Sequence, residues 1–160
     1  AADDAESRQI AGVTGRRGFV AVRTTHARSV PVSSALCRVL AVVERFRVDV
    51  ERVSTGLGSC TLLFEADTVK ECLYPLVAAI EHEAGPESLE VVKDLALVST
   101  VGRALPDRPE LSGRLFDALG RAGIDVPFAS RNPEEISVTV GVQEASFEDA
   151  IRAIYAAFVS

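Results

Sequence analysis

The chain has 160 residues, of which 48% are apolar and 25% charged, and carries a formal net charge of −6. That length suits one large domain or two small ones. The acidic balance, with no basic run beyond Arg16-Arg17, argues against a nucleic-acid partner, and no apolar run reaches the ~18 residues that suggest a membrane span.

Taken in order, Arg8 to Val13 reads as a short strand, and Gly12, Gly15 and Gly18 read as punctuation of a turn through Arg16 and Arg17. A strand follows from Gly18 to Thr25. Ala27 to Ser34 is a loop, with Ser33 or Ser34 as the expected helix cap. The helix from Ala35 to Arg47 turns Leu36, Val39, Leu40, Val43 and Phe46 inward. A strand runs from Val48 to Ser54, Gly56 and Gly58 make a turn, and Ser59 to Ala66 alternates as a strand should. Asp67 or Thr68 caps a helix from Val69 to Ala84, which Gly85-Pro86 stops. Ser88 to Val92 is a short strand, and Asp94 to Gly102 reads as a buried one.

Pro109 fits a first helical turn, and Leu111, Leu115, Ala118, Leu119 and Ala122 form one apolar face. Gly123 then ends that helix in a left-handed conformation. A strand from Ile124 to Arg131, a turn at Asn132-Pro133, a strand from Glu135 to Val142, and a helix from Ser146 to Val159 complete the chain.

The pattern occurs twice. Arg38, Val39, Val43, Arg45, Val48, Asp49, Val50 and Ser54 line up without a gap with Arg114, Leu115, Leu119, Arg121, Ile124, Asp125, Val126 and Ser130. The register carries on through Cys60, Leu62 and Phe64 against Ile136, Val138 and Val140. A shift of two residues then aligns Val69, Leu76 and Ile80 with Phe147, Ile154 and Phe158. A repeat of this length fixes the architecture. Each copy reads strand-helix-strand-strand-helix-strand, an α+β ferredoxin-like unit. The second copy ends one strand short, and Arg8 to Val13 is the spare strand. The expectation is therefore that the first unit, residues 15–92, is inserted within the second, residues 8–14 plus 93–160. Without that strand the second unit's sheet would leave an unpaired edge, which proteins usually cover; two such units can pair their sheets edge to edge.

These residues carry a family resemblance. The Pro106-Asp107-Arg108-Pro109 run, RLFDALGRAGIDV at Arg114–Val126, EEISVTV and EDAIRAIYAAF at Glu148–Phe158 resemble the second of the paired ACT domains in the regulatory part of aspartate kinases. In the first unit, Val48-Asp49-Val50 and Ser54-Thr55 are similar to that family's strand and turn. The resemblance implies two ACT domains, the first inserted into the second, that bind an end-product amino acid of the threonine or lysine class and inhibit the kinase. It implies a homodimer through these domains and a kinase domain in the same full-length chain; the odd number of widely spaced cysteines points to a reduced, cytoplasmic setting.

The ligand of that family sits where the loop before a unit's first helix meets the strand after it. Carried onto this sequence, the effector site is Ser29, Val30, Pro31, Val32, Ser33 and Ser34 with Val48, Asp49, Val50 and Ser54. Backbone N–H groups at the helix start would take a carboxylate, and Asp49 the ammonium group. Asp107, Glu110 and Asp125 are the corresponding place in the second unit. The sequence departs from the family pattern at Ser34 and Glu110. It also reads Ser54-Thr55-Gly56-Leu57 where Ser-Thr-Ser-Glu is common, so the acidic group that would meet a lysine side chain is absent there.

No constellation reads as catalytic. A nucleophile needs a positioned base, and His26 and His82 read as solvated. Cys37, Cys60 and Cys72 read as reduced core residues, without the close spacing of a zinc site. The glycine triplet lacks the Lys-Ser/Thr of a nucleotide loop. No cofactor and no metal are expected. A chain without methionine is expected to be a piece of something longer, and its polar start shows no signal-peptide pattern. Two other readings stay open: a structural dimerisation module with a decayed effector site, and a small enzyme on a ferredoxin-like fold.

Overall fold

The computed structural model describes residues 10–102, 108–132, 134 and 136–159. Among the described residues six strands and five α-helices follow in the order β1 (Gly12–Thr25), α1 (Val32–Phe46), β2 (Arg52–Gly56), β3 (Ser59–Glu65), α2 (Ala66–Val69), α3 (Leu73–Ala84), β4 (Ser88–Val101), α4 (Pro109–Arg121), β5 (Phe128–Asn132), β6 (Ser137–Gln143) and α5 (Phe147–Val159). Among the described residues no helix is long and apolar enough to cross a membrane.

The chain divides into two compact units, one of residues Gly18–Asp94 and the other of the segments before Gly18 and after Asp94. In the 18–94 unit the strands lie in the order β2-β3-β1-β4. Both β2 and β1 are antiparallel to β3, with Val53 and Val22 each opposite Leu62. Alternate residues Val20, Val22, Leu62 and Phe64 meet Val39, Val42 and Val43 of α1 and Leu76 and Ile80 of α3 in one core. Removing each such side chain from water stabilises the unit by about 1.5–3 kcal/mol, which is why the helices settle on this face.

The other unit has the order β1-β4-β6-β5, with β4 and β5 antiparallel to β6. Its core gathers Val98, Val138, Val140 and Val142 from the strands, Leu111, Leu115 and Leu119 from α4, and Ala150 and Ile154 from α5. Gly123 follows α4 at φ +73°, as the sequence requires. The Ile124 N–H reaches back to the Leu119 carbonyl at 3.0 Å, closing the turn.

Several expectations are corrected. The turn through Gly15, Arg16 and Arg17 is absent: β1 runs unbroken from Gly12 to Thr25. Gly15 is a strand residue where a Cβ would overlap the Phe147 ring, the close approach that glycine permits in a strand. Arg17 lies over that same ring, 4.6 Å from its centroid. Likewise Ser88–Val101 is one strand, with Asp94 at φ +55° inside it. A left-handed residue lets a strand bulge and continue.

The helix α1 begins at Val32 behind Pro31, with no side-chain cap from Ser33 or Ser34. Val48, Asp49 and Val50 precede β2 rather than forming it. The helix expected from Val69 breaks after a first turn and resumes at Leu73. The extra two residues of the second repeat fall in the β5–β6 turn, earlier than expected. The pairing shows this: Ser54 faces Thr61, and Ser130 faces Thr139. Cys37 is exposed, while Cys60 is buried. Arg8 and Gln9 of the expected first strand, together with Pro106, Asp107, Pro133 and Glu135, lie outside the described residues.

Candidate functional site

The alternation that builds the core of the 18–94 unit does not stop at the end of β1. Val20, Val22, Thr24 and His26 continue one face, and the last two are buried, with 1% and 6% of their surface exposed. A buried imidazole must find hydrogen bonds. His26 Nε2 is 2.9 Å from Thr24 Oγ1, with donor and acceptor set by the tautomer. Its other ring nitrogen has no protein partner among the described residues. Thr24 also hydrogen-bonds Cys60, whose thiol is pushed up by burial and drawn partly back by that bond. His26 is thus a buried polar residue, not the solvated one that the sequence suggests.

Backbone bonds fix the surroundings. The His26 N–H donates to the Gly58 carbonyl at 2.8 Å, and the Glu87 N–H donates to the Thr25 carbonyl at 2.8 Å. Gly58 sits at φ +75°, which lets a tight turn join β2 to β3. The Val30 N–H donates to the Ala27 carbonyl at 2.9 Å and curls the loop towards α1. The first bond of α1 runs from the Ala35 N–H to the Pro31 carbonyl at 3.1 Å. The N–H groups of Val32, Ser33 and Ser34 therefore have no acceptor within the helix.

Between these segments lies an open cleft of about 810 Å³. His26, Thr25 and Gly58 line it from the strand ends; Val30, Pro31 and Val32 line it from the loop and helix start, and Leu57 from the hairpin. Two charges complete it, Arg28 and Glu87. Both side chains are exposed, and neither has a hydrogen bond or ion pair with another described side chain. The cleft thus offers one cation, one anion, a buried imidazole and an apolar wall.

Of the effector residues expected from the sequence, Val30, Pro31 and Val32 line this cleft. Ser29, Ser33 and Ser34 are their exposed neighbours in the loop and first helical turn. Val48, Asp49, Val50 and Ser54 do not line it. Val48 and Val50 pack against the core, Asp49 is exposed, and Ser54 is half-buried on β2. The corresponding Glu110 and Asp125 are exposed, with Glu110 bonded to Arg108 at 2.6 Å; Asp107 lies outside the described residues. Sequence reading missed His26, Arg28, Leu57 and Glu87. Only His26 had a usable signal, its place two residues beyond Thr24 on the buried face. Among the described residues no group of three His, Cys, Asp or Glu could hold a metal ion.

The 18–94 unit thus has the order βαββαβ, with a cleft at the start of its first helix. The family model described as ACT domain matches residues 98–158. The chain is 26% identical over 124 residues to aspartokinase 3 of Bacillus subtilis, an alignment covering 76% of this chain and 27% of that protein. The solved aspartate kinase of Clostridium acetobutylicum matches with a TM-score of 0.82 and 26% identity, over 93% of this chain and 34% of that one. The regulatory subunit of aspartate kinase from Thermus flavus shares the fold, with a TM-score of 0.80 and 20% identity over 94% of this chain and 99% of that one. The chain spans about a quarter of the length of the first of these relatives.

Proposed function

We propose that this chain is the regulatory part of an aspartate kinase, binding an end-product amino acid and passing feedback control to a kinase domain of the same full-length protein. The observation that carries the ligand half of this reading is the cleft at the start of α1. An α-amino acid is a zwitterion with a side chain. The cleft supplies Arg28 and the free N–H groups of α1 for a carboxylate, Glu87 for an ammonium group, and Val30, Pro31, Val32 and Leu57 for aliphatic carbons. Of the sequence-expected loop, Val30, Pro31 and Val32 line the cleft, and in this reading Glu87 takes the part that the sequence expectation gives to Asp49.

The tandem organisation is part of the same proposal: one ACT domain of residues 15–92 within a second of residues 8–14 plus 93–160. The repeated helix and hairpin in both units support it. A homodimer through these domains follows from the resemblance to aspartokinases, and a cytoplasmic setting from the odd number and wide spacing of the cysteines.

Thermal unfolding of the chain with threonine, lysine and methionine tests the ligand. A ligand at 100 times its Kd adds about 2.7 kcal/mol, a rise of several degrees in Tm. Glu87→Gln is expected to abolish that rise, whereas Asp49→Ala keeps it. The reverse result moves the site to Asp49. No rise with any amino acid in a folded sample favours a structural dimerisation module.

A further inference from the structure

On β4, Leu89 and Val91 pack against the core of the 18–94 unit. Side chains alternate along a strand, so Lys93 continues that face beyond the core, where it is exposed. The helix that restarts at Leu73 places its first turn within reach. Lys93 Nζ donates to Tyr74 Oη at 2.7 Å and stands 4.8 Å from the ring centroid. The ammonium therefore meets the oxygen more closely than the ring face. Tyr74 is 72% exposed, so the same oxygen is open to a reagent.

The hydrogen bond from Lys93, aided by its charge, draws the Tyr74 phenol below its ordinary pKa. Lys93 fills an acceptor position on the oxygen, which leaves the phenol's own hydrogen to water. Both effects favour the phenolate, the form that attacks electrophiles. The same ammonium stands where negative charge grows on an acyl oxygen during that attack, and stabilises it. The chain has two tyrosines. The other, Tyr155, is 41% exposed and has no hydrogen bond from a described side chain.

We propose that Tyr74 is a covalent modification site, an exposed phenol activated by Lys93 that accepts an acyl group from an activated donor such as an acylimidazole, acyl phosphate or thioester. The phenolate oxygen forms a bond to the acyl carbon. The donor's leaving group departs with its electron pair, and the phenol's proton passes to water. The product is an aryl ester at Tyr74. Neither residue lines the cleft, and the site is independent of the amino-acid reading.

Brief treatment of the whole chain with N-acetylimidazole, followed by peptide mass spectrometry, tests this. Acetylation is expected to be roughly threefold or more faster at Tyr74 than at Tyr155, and to be reversed by hydroxylamine, as an aryl ester is and an amide is not. Lys93→Met brings the Tyr74 rate down towards that of Tyr155, Lys93→Arg keeps most of the preference, and Tyr74→Phe leaves only the slow reaction at Tyr155. Equal rates at the two tyrosines of the wild type overturn the proposal, whether or not the variants fold. So does a preference that survives Lys93→Met, since exposure alone then accounts for it. A hydroxylamine-resistant acetyl group on Lys93 in place of the Tyr74 ester overturns it as well.

Discussion

The same backbone hydrogen bond closes the end of both units, but the side chains around it are exchanged. In the 18–94 unit the His26 N–H donates to the Gly58 carbonyl at 2.8 Å; in the other the Gly102 N–H donates to the Ile136 carbonyl at 2.9 Å. One unit carries the bulky residue at the strand end and glycine in the hairpin, and the other carries the reverse. Gly58 and Ile136 both have positive φ, +75° and +49°. Thr24 and Thr100 precede these sites by two residues and are both buried. Thr24 bonds His26, whereas the Thr100 hydroxyl has no partner among the described residues. The backbone geometry is common to the repeat, and the chemistry belongs to one copy of it. A repeat therefore specifies a fold twice without specifying a site twice.

The largest test of this difference is one substitution made in both places. Thr24→Val strands the His26 ring nitrogen in the interior and is expected to cost about 1–3 kcal/mol. Thr100→Val removes an orphan hydroxyl and is expected to stabilise by about 1 kcal/mol. Denaturant unfolding of the two variants should show shifts of opposite sign; equal signs would mean that the threonines are equivalent.

The hairpin residues give a somewhat smaller contrast. Gly58→Ala places a side chain at φ +75°, with its Cβ 3.4 Å from the His26 carbonyl oxygen, and should cost about 1–2 kcal/mol. Ile136→Gly relieves a β-branched residue in the left-handed region and should gain about 1 kcal/mol. Tm values of the two variants check both signs.

The smallest contrast is electrostatic. Arg45 of α1 bonds Glu83 of α3, joining two helices, while Arg121 pairs at 2.9 Å with Asp117 of its own helix. The hydrogen bond from Arg45 holds the Glu83 carboxyl below its ordinary range. A carboxyl lowered on folding stabilises above its unfolded pKa and loses that contribution as pH falls through its folded one. Glu83→Gln should therefore lower Tm slightly at neutral pH, with the difference from wild type closing on acidification. Both partners are largely solvated, so the effect is small.

Sequence pattern was a good guide wherever one face of an element met one core. Leu111, Leu115 and Leu119 share a helix face, Gly123 ends that helix, and Leu62 and Phe64 point inward, because each follows from period and local sterics. It failed where a distant neighbour decided the outcome. Gly15 reads as a turn until the Phe147 ring is found against it. Asp94 reads as a strand start until the strand is found to run through it, with Asp94 at φ +55°. The site was legible only in its contiguous piece, the loop before α1. Arg28, Leu57 and Glu87 reach it from separate segments, and no spacing in the sequence relates them.

The most direct test of the central claim is to locate the ligand. Backbone amide NMR shifts recorded while threonine is titrated into the whole chain should move first at His26, Val30, Val32, Gly58 and Glu87, the residues of the cleft. Shifts confined to Asp49 and Ser54, or to residues 98–158, would contradict it.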